Sequence, residues 1–463
     1  MTELARGPYR IGFDIGGTFT DFILHDGDRI RLHKVLTTPH DPSIAALQGL
    51  TELTAAAGIE LADVGEIVHG TTLVTNAVIE RKGAKLGLIT TRGFRDVLEM
   101  GREQRYDIYD MFLEFPEPLV PRDLRLEVGE RTDRDGNEVA PLDEDELRRA
   151  LKTLAETGCE AVAISFINAY RNPAHERRAG EIAAAEFPEL AVSLSAQVVA
   201  EIGEYPRTVT TCANSYVKPL MARYLSRLEA ELAARGFRGK LRLMHSAGGL
   251  VSPDVARAFP IRLLESGPAG GGLAAALFGE TAGKDRLIAF DMGGTTAKAS
   301  IIENGTVDIT AELEAGRVSR FRKGSGLPIR APVLDMIEIG AGGGSIAGID
   351  AVGLLKVGPQ SAGSAPGPVC YGLGGTQPTV TDANVILGYY DPNFFLGGRM
   401  KLDLAAAEAA MDRLAASLGL SRMQTARGVH RVVVENMAAA TRVHLVEKGK
   451  DPRDQFMVGF GGA

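Results

Sequence analysis

"RIGFDIGGTFTDFILHD" (residues 10–26) and "LIAFDMGGTTAKASIIENG" (residues 287–305) share one pattern: an apolar run, an aspartate, two glycines, a threonine and a second apolar run. In the first copy Ile11, Phe13 and Ile15 alternate onto one face while Asp14 points the other way, the period of a half-buried strand. The glycine pair predicts a tight turn into a second strand. Glycines permit sharp turns and close approach of a ligand, and the N–H groups of such a turn form a concavity for anions. An aspartate at the strand end repels phosphate, but it can organise a Mg²⁺ ion that bridges to phosphate oxygens. One such hairpin is commonplace. Two predict that each supplies half of a single triphosphate site, with Asp14 and Asp291 organising the metal for catalysis. Gly16, Gly17, Thr18, Gly293, Gly294, Thr295 and Thr296 then make the phosphate contacts. The glycines open a hairpin and not a helix, and no Walker A lysine follows, so this is neither a Rossmann fingerprint nor a P-loop.

The rest of the chain frames that site. A length of 463 residues predicts two domains. The net charge of −8 argues against nucleic acid as a partner. No run of apolar residues is long enough for a membrane span, and "MTELARGPYR" lacks a signal-peptide core, so the expected location is cytoplasmic. Cys159, Cys212 and Cys370 show no metal-ligand spacing and are expected to be free thiols. Residues 10–36 read as a β-meander, 41–58 as a helix with Gly58 just past its end, and the stretch to 187 as alternating strands and helices, the signature of α/β layering. A domain boundary is expected over 188–207, followed by a long helix kinked near Pro219. "ESGPAGGGLAAALFGE" reads as a glycine-rich turn feeding a helix, with Gly267, Gly270 and Gly271 near an N-terminus suited to anions. Residues 320–400 look irregular, and two apolar-periodic helices close the chain before "FMVGFGGA".

Further candidates surround the repeat. In "VHGTTLVTN" His69, Thr71, Thr72 and Asn76 are expected near the interdomain cleft, with His69 as a catalytic group; the competing reading is a helix cap and a structural histidine. "GAGGGS" offers either a third anion nest or a loop. Asp382 offers a metal or amine ligand or an Asx-turn. Arg102 and Arg105 offer a phosphate clamp or a solvated helix end.

The paired loops resemble those of the actin, sugar kinase and Hsp70 ATPase superfamily, and "VGFGGA", with Gly461 and Gly462, resembles the start of its adenosine loop. More specifically, "GFDIGGTFTD", "HGTTLVTNAVIERKGAKLGLITTRGFRDVLEMGR", "ESGPAGG", "FDMGGTTAK", "IGAGGGSIA", "GPQSAGSAPGPVCYG" and "PTVTDANVILG" resemble the hydantoinase A / 5-oxoprolinase family from about residue 9 to the end. The resemblance implies an α/β fold of two actin-like (ribonuclease H-like) domains, with mixed sheets around an interdomain nucleotide cleft. They would span residues 9–190 and 205–463. It implies ATP and Mg²⁺ as cofactors and phosphorylation of the amide oxygen of a cyclic amide, of the hydantoin or 5-oxoproline type, on the way to ring opening. A hydantoinase B-type subunit is the implied partner in an oligomer. The alternatives are the nucleotide-dependent subunit of an acetone- or acetophenone-type carboxylase, which has the same phosphate motifs, and a non-catalytic ATPase switch. Against the family pattern the chain stops inside the third loop, so a C-terminal truncation is expected.

Overall fold

The structure, a computed structural model, describes residues 8–38, 40–319 and 322–462. The chain opens with β1 (Tyr9–Ile15), β2 (Phe19–His25) and β3 (Ile30–Leu36), paired antiparallel as the alternation predicts. Helix α1 (Pro42–Ala57) begins where Asp41 accepts the Ser43 N–H and ends at Gly58, which takes a left-handed φ of 71°. It carries the chain over to β4 (Val64–Thr71), parallel to β1. After α2 (Leu73–Ile79), four strands build a separate all-parallel sheet: β5 (Leu86–Thr91), β6 (Arg125–Val128), β7 (Ala161–Ser165) and β8 (Ala191–Leu194), in the order β8-β7-β5-β6. Every residue of β5 and β7 is buried, as expected where both faces of a parallel sheet are covered. Helix α3 (Glu204–Ala234) packs across this sheet and continues as one helix through Pro219.

β9 (Lys240–Met244) and β10 (Leu250–Val251) then return to the first sheet, whose order is β10-β9-β4-β1-β2-β3. That sheet therefore draws strands from both sides of residues 190–205. Helix α4 (Ser266–Ala282) crosses to a second mixed sheet built on β11 (Arg286–Met292) and β12 (Ala297–Glu303). β13 (Thr306–Val307) and β14 (Met336–Ile339) flank β12, and β15 (Phe456–Phe460) runs parallel to β11. The glycines of "ESGPAGGG" lie inside α4 and not in a preceding turn; a side chain at Gly271 would collide with the Phe460 ring, so small residues there let helix and strand approach. The region expected to be irregular contains short two-stranded ribbons. Helices α5 (Val380–Ile386), α6 (Leu404–Leu418) and α7 (Arg422–Glu447) follow and pack through Val380, Met411, Val429 and Val433. The two sheets repeat one plan, an antiparallel hairpin with a parallel strand beside its first member. The fold is α/β with two related mixed-sheet units.

Candidate active site

The two hairpins agree in detail. Asp14 pairs with Asp21 across β1 and β2, and Asp291 pairs with Lys298 across β11 and β12, at the same distance from the turn. The Gly16 N–H donates to the Phe19 carbonyl at 2.9 Å, and the Gly293 N–H donates to the Thr296 carbonyl at 2.9 Å. Among the described residues, the N–H groups of Gly17, Thr18, Gly294 and Thr295 have no backbone acceptor in the protein. Four free amides on two turns are the donor set an anionic ligand requires.

The turns touch each other at their tips. A side chain at Gly294 would run into Thr18, and a Cβ at Gly17 would lie 3.7 Å from Thr295 Oγ1. Thr18 Oγ1 is buried without a hydrogen-bond partner. The end of β15 reaches the same place: Gly461 packs on the Met292 backbone, and a Cβ at Gly462 would lie 3.0 Å from Lys34 Nζ and 3.2 Å from the Phe19 ring. Thr18, Phe19, Gly294, Gly343, Thr381 and Gly462 line the small cavity enclosed there.

Asp14 lies behind the first turn. A Cβ at Gly70 of β4 would sit 2.6 Å from its Oδ1, and a Cβ at Gly267 of α4 would sit 2.8 Å away. The carboxylate fits because both neighbours lack side chains. Its Oδ1 is shielded from solvent and accepts no hydrogen bond. Burial, together with the charges of Asp21 and Asp291, pushes the carboxyl up to about 7. Burial also raises Asp291. Two desolvated carboxylates within electrostatic range of each other, one with an orphaned oxygen, suit a cation. Among the described residues no three His, Cys, Asp or Glu side chains converge as a metal cage. Mg²⁺ needs only one or two carboxylates together with water and substrate phosphates.

Several expected residues fall elsewhere. His69 is the register partner of Phe13, so its ring lies on the sheet face opposite Asp14. It is fully buried, stacks on Phe13 with centroids 4.2 Å apart, and has Nε2 2.8 Å from the Tyr224 hydroxyl. Burial pushes it down to about 3, so it is neutral. Strand pairing thus turns His69 away from the sheet face that carries Asp14, where the sequence pattern predicts it. Gly267 is at the site, but its neighbour is the Asp14 carboxylate. "GAGGGS" is a brace and not an anion nest: the Gly343 and Gly344 N–H groups donate to the Gly293 and Gly294 carbonyls at 3.1 and 2.7 Å. Asp382 caps α5, accepting from the Thr379 N–H and Oγ1 at 2.8 Å and the Cys370 N–H at 2.7 Å. Arg102 is held by Glu312 at 2.5 and 2.7 Å. All three cysteines are free and buried.

Two residues that the sequence did not single out complete the site. Lys298 Nζ lies 3.0 Å from the Glu265 carboxylate, with side chains 13% and 5% exposed. Both groups act electrostatically on Asp14 and Asp291. The available signal was a lysine inside the apolar strand "AKASII".

The family model for Hydantoinase/oxoprolinase matches residues 207–463, and the model for the Hydantoinase/oxoprolinase N-terminal region matches residues 10–187. The chain belongs to the hydantoinase/oxoprolinase family. It is 39% identical over 469 residues to caprolactamase subunit alpha of Pseudomonas jessenii, covering 99% of this chain and 66% of that protein. It is 37% identical to the acetophenone carboxylase gamma subunit of Aromatoleum aromaticum, covering 98% of this chain and 63% of that protein. Among solved structures, nucleotide-free acetone carboxylase superposes with a TM-score of 0.87 at 32% identity, covering 98% of this chain and 65% of that one. The ATP-dependent caprolactamase of Pseudomonas jessenii superposes with a TM-score of 0.80 at 39% identity, covering 98% of this chain and 66% of that one. The fold is thus the actin-like arrangement expected for the family. The chain spans about two thirds of the length of these relatives, and 39% of 5-oxoprolinase 1 of Arabidopsis thaliana. Among the described residues no helix is long and apolar enough to cross a membrane.

Proposed function

We propose that this chain binds MgATP across the two glycine turns and phosphorylates the amide oxygen of a cyclic amide, in an ATP-dependent amidohydrolase of the N-methylhydantoinase or 5-oxoprolinase type. The observation that carries the reading is the contact between the turns. Two Asp-x-Gly-Gly-Thr hairpins, one from each sheet, meet with four free amides and two desolvated carboxylates. The relatives' names, which include an ATP-dependent caprolactamase and 5-oxoprolinases, support the same chemistry.

An unstrained cyclic amide is a poor electrophile. Its oxygen attacks the γ-phosphorus, the β–γ bridging P–O bond breaks, and ADP leaves with that electron pair. The ring carbon is then an activated imidate. Addition of water and departure of the ring nitrogen leave an acyl phosphate, which a second water hydrolyses. The transfer needs positioning and charge neutralisation more than a protein nucleophile. The Gly17, Thr18, Gly294 and Thr295 amides hold the phosphates, Asp14 and Asp291 hold the metal, and Gly461 and Gly462 begin the adenosine contact. Bound there, Mg²⁺ would neutralise phosphate charge. We assign ring opening to a B-type partner subunit in a cytoplasmic hetero-oligomer.

The likeness to acetone carboxylase, at a TM-score of 0.87, supports a second reading in which the phosphoryl acceptor belongs to a ketone carboxylation. ATP turnover with hydantoin, 5-oxoproline or caprolactam, against acetone or acetophenone with bicarbonate, separates the two. Each assay is run with and without a B-type subunit. Stimulation by a lactam supports the first reading and stimulation by a ketone the second. If none stimulates turnover, both fall and the switch reading stands.

A further inference from the structure

Between the two hairpins runs a connection that the phosphate chemistry does not itself require. Residues 265 and 266 lie at the start of α4, where the chain leaves the first sheet unit for the second. Ser266 is tied to the end of β4: its Oγ accepts the Thr71 N–H and donates to the Thr71 carbonyl, both at 2.9 Å. The Glu265 N–H donates to Thr75 Oγ1 at 3.2 Å, so its backbone also belongs to the first unit. Its side chain points the other way, to Lys298 on β12 of the second hairpin, at 3.0 Å. Glu265 achieves this with a φ of 55°, a left-handed conformation that is strained for a non-glycine residue and persists only where the surroundings enforce it. Lys298 is the cross-strand partner of Asp291, and Gly267, two residues past Glu265, abuts Asp14.

We propose that the buried Glu265–Lys298 ion pair is an interdomain strut that sets the separation and alignment of Asp14 and Asp291, making both members positioning residues for phosphoryl transfer. The inference rests on the nucleotide-site reading above. Other contacts near this point are the glycine tips, Gly267 on Asp14 and Gly462 on Lys34 and Phe19, and none of them is an ion pair. A buried pair is weak evidence for stability, since desolvation offsets much of its attraction. It does fix geometry, because either charge left alone in that interior is strongly penalised.

The test uses the full chain with Glu265→Gln, Lys298→Met and the double variant, plus Lys298→Arg as a rescue. MgATP binding is measured by calorimetry, turnover by phosphate release, and folding by unfolding midpoint. The strut predicts that each single variant binds MgATP within about threefold of the parent while kcat falls at least about tenfold. The double variant should be no worse than the poorer single, because the two act as one unit. Lys298→Arg should recover most of the loss. Unchanged kcat in folded single variants, or losses that multiply in the double, would overturn the strut. So would a variant that loses MgATP binding and stability together, since that is packing alone. If the parent protein itself binds no MgATP, the nucleotide-site reading fails instead.

Discussion

Replacing Asp14 by Asn should stabilise the protein in alkaline buffer while abolishing its ATP turnover. The carboxyl is raised from 3.8 to about 7 in the fold, first by burial and then by Asp21 and Asp291. Below about pH 4 it is protonated in both the folded and the unfolded chain. Between about 4 and 7 the unfolded chain releases its proton first, so stability falls as pH rises. Above 7 both states are ionised and the full penalty is present. Three pH units correspond to about 4 kcal/mol at ~1.36 kcal/mol each. Asp14 keeps some solvent contact, which screens the charge, so about 2 kcal/mol is the expected size. Asparagine matches the protonated acid in shape and carries no charge. Urea unfolding at pH 8.5 should therefore show a gain of about 2 kcal/mol for Asp14→Asn, and at pH 5.5 about half of that. The chain has no tryptophan and ten tyrosines, so tyrosine fluorescence is the natural signal. Turnover of MgATP at pH 8 should fall at least about a hundredfold, the order of an electrostatic group lost at a phosphoryl-transfer site. An equal gain at both pH values would refute the electrostatic account, and retained turnover would refute the metal assignment.

Gly294→Ala drives a methyl group into Thr18 and should force the hairpin tips apart. An overpacking cost of about 1–3 kcal/mol predicts a drop of that size in unfolding free energy together with a loss of turnover of tenfold or more, and unchanged kcat would show that the tips need not meet. His69→Phe keeps the stack on Phe13 but strands the Tyr224 hydroxyl. It should cost about 1–3 kcal/mol of stability and leave kcat within about twofold; a collapse of kcat in a folded variant would return His69 to the chemistry. Asp382→Ala frees four donors in a buried cap and should cost about 3 kcal/mol, measured by thermal unfolding, and a near-neutral result would mean that water replaces the carboxylate.

The hairpins were readable because everything that makes them is local. Period-two alternation marks the strands, the glycine pair marks the turn, and the aspartate stands two residues before it. The repeat then carried the fold class. The facing of His69 was not readable for a physical reason. β4 is buried on both faces apart from Glu66 and Val68, so no polar alternation marks which side meets the cleft, and only its register with β1 decides it. "GAGGGS" has the composition of an anion nest, but two of its donors are claimed by the carbonyls of the second turn, fifty residues earlier. Glu265 was hidden for a related reason. In sequence it is one acid before a helix of small residues, and its meaning lies in a lysine on a strand that pairs with a third segment.

The repeat is close in backbone and unequal in charge, and the inequality bears on how the site works. The positions facing the two aspartates across their hairpins carry Asp21 in the first copy and Lys298 in the second. Asp21 adds negative charge beside Asp14, and its own counter-ion, Lys34 at 2.5 Å, sits on a half-exposed side chain where solvent screens it. Lys298 lowers the burden on Asp291 from inside the protein, where nothing screens it. The first carboxylate is therefore the one left with an orphaned oxygen and the larger excess of negative charge. On the proposed reading, a cation entering between the hairpins gains most by moving toward Asp14, while Lys298 offsets part of the charge at Asp291 and the second turn's amides serve phosphate. On that reading, the duplicated device divides its labour by charge, with the first copy biased toward metal and the second toward anion.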